Sequence, residues 1–153
     1  MFTVEYDLEK IIMNKNEIFV KFGTNSVNES FARVVIAGFV LRMDPTIEEL
    51  ADIKTAVSEA VTNCIIHGYP EKDGEIIMHS WIEEQEIYIE VIDFGVGIGD
   101  IEKAMEPMFT TREDIHRSGM GFAFMEAFMD ELKVESNPGE GTRIFMKKIL
   151  GEV

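Results

Sequence analysis

Glu59 and Asn63 stand one helical turn apart in the run SEAVTNCIIHG, and Asp93-Phe94-Gly95-Val96-Gly97 closes a run of alternating apolar residues. Further on, Arg117-Ser118-Gly119-Met120-Gly121 opens an apolar stretch of helical spacing. Singly these are ordinary features: polar residues four apart on a helix usually form a solvated stripe, and paired glycines usually mark turns. In this order they supply the parts of a phosphoryl-transfer site, where a protein mainly positions phosphates, magnesium and the acceptor. The Glu59 carboxylate can orient or deprotonate a hydroxyl. The neutral amide oxygen of Asn63 suits a magnesium ion already shared by phosphates. Asp93 can accept from the exocyclic amine of adenine, with Gly95 and Gly97 permitting close backbone approach. Gly119 and Gly121 precede a helix whose free N–H groups can receive phosphate, with Arg117 as a charge clamp. No GxxxxGK[ST] run is present, so a P-loop is excluded as the source of nucleotide affinity.

The elements that must position these groups follow from periodicity. Residues Glu17 to Gly23 alternate as a strand, and Ser26-x-x-Glu29 predicts a capping box before a first helix, whose apolar-rich run extends from Phe31 to Met43. Asp44-Pro45 is expected to cap and begin a second helix, in which Ile47, Leu50, Ile53, Val57, Ala60, Val61, Cys64 and Ile65 recur at helical spacing until Gly68 stops it. Thr55, Glu59, Asn63 and His67 share a separate stripe. The runs Glu75 to Glu83 and Glu86 to Asp93 predict a hairpin around Glu84-Gln85. Ile87, Ile89, Val91 and Asp93 share one parity, so Asp93 ends its strand pointing into the helix-facing layer, a costly place for a carboxylate without a partner. Between Gly95 and Gly119 only a short helix at Ile101 to Met105 is expected, and a connection of that length in a compact domain suggests a lid. A helix containing Phe122, Met125, Ala127, Phe128 and Met129 follows. Strands from Leu132 to Glu135 and from Thr142 to Ile149 flank an Asn137-Pro138-Gly139 turn.

With 153 residues, 46% of them hydrophobic, the chain is expected to fold as one domain over residues 1–153. A formal net charge of -15 argues against direct nucleic-acid binding and suits a basic protein partner. Cys64 is the only cysteine, which excludes an intrachain disulfide and fits a small buried residue in a reducing, cytoplasmic setting. The acidic start MFTVEYDLEK lacks the positive charge of a secretory signal, and no apolar run approaches a membrane span. His67, His79, His116 and Cys64 lie too far apart for a zinc motif.

From about Glu17 to Ile149 the chain resembles the ATPase and kinase superfamily that includes DNA gyrase, heat-shock chaperones, sensor histidine kinases and MutL. Within it, the chain is most similar to the sporulation anti-sigma F factors. The resemblance rests on NESFARV, LRMDPT, SEAVTNCIIHGY, DFGVGI, EPMFTTRED and RSGMGFAFMEAFMDELKVES. It implies a two-layer α/β sandwich, a mixed and mainly antiparallel sheet with helices on one face (the Bergerat-type fold). It also implies binding of ATP or ADP with magnesium, phosphorylation of a serine on an anti-anti-sigma factor, and sequestration of a sigma factor, with a homodimer as the assembly. By the same resemblance Glu59 is the general base, Asn63 the magnesium ligand, and Asp93 and Thr142 the adenine-site residues. Gly97, Gly119 and Gly121 become lid and phosphate-site glycines, Arg117 the arginine near the terminal phosphate and Arg33 a partner-contacting arginine. Thr142 shares strand parity with Ile144 and Met146, which can set it beside Asp93. A general stress anti-sigma kinase, or an anti-sigma module that binds nucleotide without transferring phosphate, are the alternatives. Two features depart from the pattern: Phe94 stands where close relatives usually carry a polar residue, and residues 1–12 precede the similarity as an N-terminal extension.

Overall fold

The computed structural model of the protein describes residues 16–106 and 121–151. The expectations placed on residues 1–12, Arg117 and Gly119 lie outside the described residues. Five strands form one sheet: β1 (Glu17–Gly23), β2 (Glu75–Glu83), β3 (Glu86–Asp93), β4 (Glu131–Asn137) and β5 (Gly141–Ile149). Their spatial order is β1-β2-β3-β5-β4, and all four pairings are antiparallel. β2 and β3 form the expected hairpin, with Glu83 opposite Glu86 and Glu84 in the left-handed region at φ 53.

The helices are α1 (Val27–Val40), α2 (Ile47–Asn63), the short α3 (Ile101–Ala104) and α4 (Gly121–Phe128). Alternation along the strands sends Met78, Ile87, Ile89, Val91, Ile144 and Met146 into one layer. There they join Ile36 and Val40 of α1, Ile53, Val57 and Val61 of α2 and Met125 of α4 in a single fully buried core. Each such side chain contributes about 1.5–3 kcal/mol relative to exposure. No described helix is long and apolar enough to cross a membrane.

Two helix starts differ from expectation. Ser26 precedes α1 but caps nothing with its side chain. Asn25 Oδ1 accepts from Val27 N at 3.1 Å instead, and the Glu29 carboxylate reaches across to α2. The capping box forms at α2, and its N-cap is Thr46, not Asp44: Thr46 Oγ1 accepts from Glu49 N at 3.0 Å while Glu49 Oε1 accepts from Thr46 N at 2.9 Å. Asp44 sits left-handed at φ 51, closing a 3-10 turn over Leu41–Met43. At its other end α2 widens into a π-helical turn over Cys64–Gly68, with Tyr69 N bonded to Cys64 O at 3.2 Å.

The sheet face away from this core carries an unexpected chain of charge, one residue per strand in spatial order. His79 Nε2 meets Glu17 Oε1 at 2.6 Å and His79 Nδ1 meets Glu90 Oε2 at 3.4 Å. Glu90 pairs with the Arg143 guanidinium, whose Nη1 lies 3.6 Å from Glu135 Oε2. Phe19 stacks on His79, and Trp81, Tyr88 and Phe145 continue the aromatic cover.

Candidate active site

Asp93 is the last residue of β3 and lies opposite Thr142 at the start of β5. Continuing the parity of Ile87, Ile89 and Val91, its side chain is completely buried. Oδ1 accepts from Gly95 N at 2.9 Å, while Oδ2 is buried with no hydrogen-bond partner. Burial pushes the carboxyl pKa up, and the Gly95 N–H, the Cys64 thiol and the Thr142 backbone offset only part of that rise. A buried carboxylate with a spare oxygen is an acceptor waiting for a donor, because leaving it unpaired costs free energy that a ligand N–H recovers. The Cys64 thiol is also pushed well up, by burial and then by the neighbouring Asp93 charge, so it stays protonated.

Backbone without side chains surrounds that oxygen. A Cβ at Gly68 would lie 2.7 Å from Asp93 Oδ2, and one at Gly95 would run into the Gly68 carbonyl. Gly68 O accepts from Val96 N at 2.8 Å, which ties the end of the π turn to the loop after β3. Gly97 is left-handed at φ 75, and a side chain there would strike the Asn137 carbonyl. Tyr69 fixes the start of this loop: its hydroxyl donates to Glu75 O at 2.7 Å and accepts from Phe94 N at 2.7 Å. Ser136 fixes the end, accepting from Ile98 N at 2.7 Å and donating to Gly141 O at 2.9 Å. With that proton committed, the Thr142 hydroxyl is the donor in its 2.8 Å contact with Ser136 Oγ.

Glu59 and Asn63 lie partly buried on one stripe of α2, which packs against α4. A Cβ on Gly121, the first residue of α4, would come within 3.3 Å of Glu59 Oε2, so the glycine and the carboxylate are neighbours. The fold therefore gathers Asp93, Gly95, Gly97 and Thr142 at the ends of β3 and β5, and Glu59 with Gly121 where α2 meets α4. Arg33 is exposed on α1. Sequence reasoning missed Tyr69, Ser136 and Gly141, and read Gly68 only as a helix stop. The signal for Gly68 and Tyr69 was present in the HGY run that directly follows the Glu59–Asn63 helix.

The donor set fits an adenine nucleotide: an unpaired buried acceptor, a wall of glycine backbone, and a helix face bearing a carboxylate and an amide. Fold and site together define a class, the histidine kinase-like ATPase domain, whose family profile matches residues 25–148. An anti-sigma F factor of Thermoanaerobacter sp. (strain X514) is 60% identical over 136 residues, covering 89% of this chain and 95% of that one. That of Clostridium acetobutylicum is 57% identical with the same coverage. The solved RsbU and RsbW domains of a Mycobacterium tuberculosis protein share the fold at a TM-score of 0.64 and 17% identity, over 90% of this chain and 33% of that longer one. This chain belongs to the anti-sigma F factor family of the histidine kinase-like ATPases, and as an ATPase domain it is a nucleotide-binding protein.

Proposed function

We propose that this protein is a cytoplasmic anti-sigma factor and ATP-dependent protein serine kinase. It holds a sporulation-type sigma factor inactive and transfers phosphate from ATP to a serine of the anti-anti-sigma factor. The observation that carries the reading is the unpaired, buried Oδ2 of Asp93 behind the Gly68–Gly95 backbone, in a chain whose 60% identical relatives are anti-sigma F factors. In this reading Asp93 accepts from the adenine amine and Thr142 completes the base site. Gly95 and Gly97 let the lid backbone close over the nucleotide, and Gly119, Gly121 and Arg117 receive the phosphates. Asn63 is the residue that would hold magnesium, its amide oxygen a neutral hard donor on the same stripe as Glu59. When bound, ATP supplies the phosphoryl group and magnesium neutralises its charge.

Glu59 takes the proton from the substrate serine Oγ as that oxygen bonds to the terminal phosphorus and ADP departs. A Cβ at its neighbour Gly121 would come within 3.3 Å of Oε2, a tight contact that glycine avoids. Arg33, exposed on α1, is the partner-contacting residue, and the working assembly is a homodimer. The test is single-turnover transfer from labelled ATP to the anti-anti-sigma factor, with magnesium present. Glu59→Gln is expected to bind ATP normally while transfer falls by roughly a hundredfold or more, the usual scale of a lost general base. Near-normal transfer by Glu59→Gln would remove Glu59 from the role. Absence of transfer by the unaltered protein would reduce the function to nucleotide-linked sigma binding.

A further inference from the structure

Glu29 has the sequence position of a capping residue and does not cap. Its carboxylate leaves the start of α1 and accepts from two hydroxyls of α2, Ser58 Oγ at 2.5 Å and Thr62 Oγ1 at 2.9 Å. Those two residues immediately precede Glu59 and Asn63, so each pair is one turn long and the two stripes are offset by a single residue. We infer that Glu29 is a positioning residue for the transfer site, a carboxylate clamp that fixes the rotation and axial height of α2 and so aims Glu59 and Asn63. The inference rests on the roles proposed for those two residues.

The geometry makes the clamp effective. A carboxylate that holds two hydroxyls one turn apart resists both twisting and sliding of the helix, whereas one hydrogen bond would resist neither well. The core side of α2 here is Ala56, Val57, Ala60 and Val61, all fully buried, and the two alanines offer little bulk to key a rotation. A twist of roughly 10° about the axis moves a side-chain tip by about 1 Å, a misplacement that costs transfer on the order of a hundredfold. Placing a partly buried carboxylate here is favourable because both of its oxygens are satisfied by the short hydroxyl contacts.

The test compares Glu29→Ala, Glu29→Gln, the pair Ser58→Ala with Thr62→Val, and all three changes together. In single-turnover assays Glu29→Ala should slow phosphoryl transfer at least about tenfold, with ATP affinity kept within about threefold, because positioning acts on the transition state. Glu29→Gln retains one acceptor oxygen and should recover part of the rate. The Ser58/Thr62 pair should show the same loss as Glu29→Ala, and adding Glu29→Ala to it should cause no further loss. A wild-type rate in Glu29→Ala, or losses that simply multiply, would overturn the clamp. Thermal unfolding screens each variant; if Glu29→Ala does not fold, Glu29→Gln and the hydroxyl pair decide on the same criteria. If the unaltered protein transfers no phosphate, the kinase reading has failed by itself. The side-chain amide resonances of Asn63 then decide the clamp: they must shift in Glu29→Ala, and unchanged resonances overturn it.

Discussion

At Asp93 the demands of folding and of binding oppose each other. Its carboxyl titrates above the ordinary value of 3.8, chiefly because burial penalises the charge. A carboxyl raised in the folded state destabilises the fold when ionised, so the penalty is full above the folded pKa and fades as pH falls through it toward 3.8. Asp93→Asn should therefore raise the melting temperature of the nucleotide-free protein at pH 7 by a few degrees, since ~1 kcal/mol is worth about 2–4 °C in a chain of this size. The amide still offers Oδ1 to the Gly95 N–H and no longer buries a charge. Scanning calorimetry without nucleotide checks this, and a lower melting temperature would mean that the carboxylate is satisfied within the protein. Much of this site was legible in residue order and parity, including the juxtaposition of Asp93 with Thr142. The approach of Gly68 to Asp93 was not, because it depends on a π turn that has no sequence period of its own.

At the scale of elements, Ser26-x-x-Glu29 and Thr46-x-x-Glu49 carry the same signature, and only the second forms a capping box. The difference has two parts: Ser26 is itself helical at φ -58 and ψ -25 where Thr46 is extended, and the Glu29 carboxylate is held by Ser58 and Thr62, partners visible only after α1 and α2 have packed. The charge chain on the second sheet face was hidden for the same reason, since alternation marks which residues leave the core and not what they meet there. Glu90 lies at its centre. Burial raises its pKa, but the hydrogen bonds and charges of His79 and Arg143 outweigh burial and leave it below the ordinary 4.5. Such a carboxylate stabilises the fold above pH 4.5, and that contribution disappears as pH falls through the lowered folded value. The urea midpoint of the wild type should accordingly exceed that of Glu90→Gln at pH 7, and the gap should narrow as pH falls below 4.5. A gap independent of pH would show that the ionised form of Glu90 contributes nothing.

For the whole molecule, the individual strands, helices and the Glu84-Gln85 turn were readable from alternation and helical stripes, while the two-layer architecture came from the resemblance and the function from motif order and resemblance together. Partner contact is the part that geometry constrains least. α1 presents Arg33 among exposed apolar residues, Val27 at 67%, Phe31 at 50% and Val34 at 70% accessibility. Arg33→Glu is expected to weaken sigma-factor or anti-anti-sigma binding in pull-downs and leave ATP affinity unchanged, because charge reversal acts at an interface. Normal pull-downs would reduce Arg33 to a surface residue. The central claim, that an adenine nucleotide is read by the buried carboxylate of Asp93, is tested most directly by titration calorimetry of ATP and ADP into the wild type and Asp93→Asn. Both nucleotides share the base, so the account predicts that both lose affinity together, by about fivefold to a hundredfold for a mismatch of ~1–3 kcal/mol. Unchanged affinity for either nucleotide would contradict it.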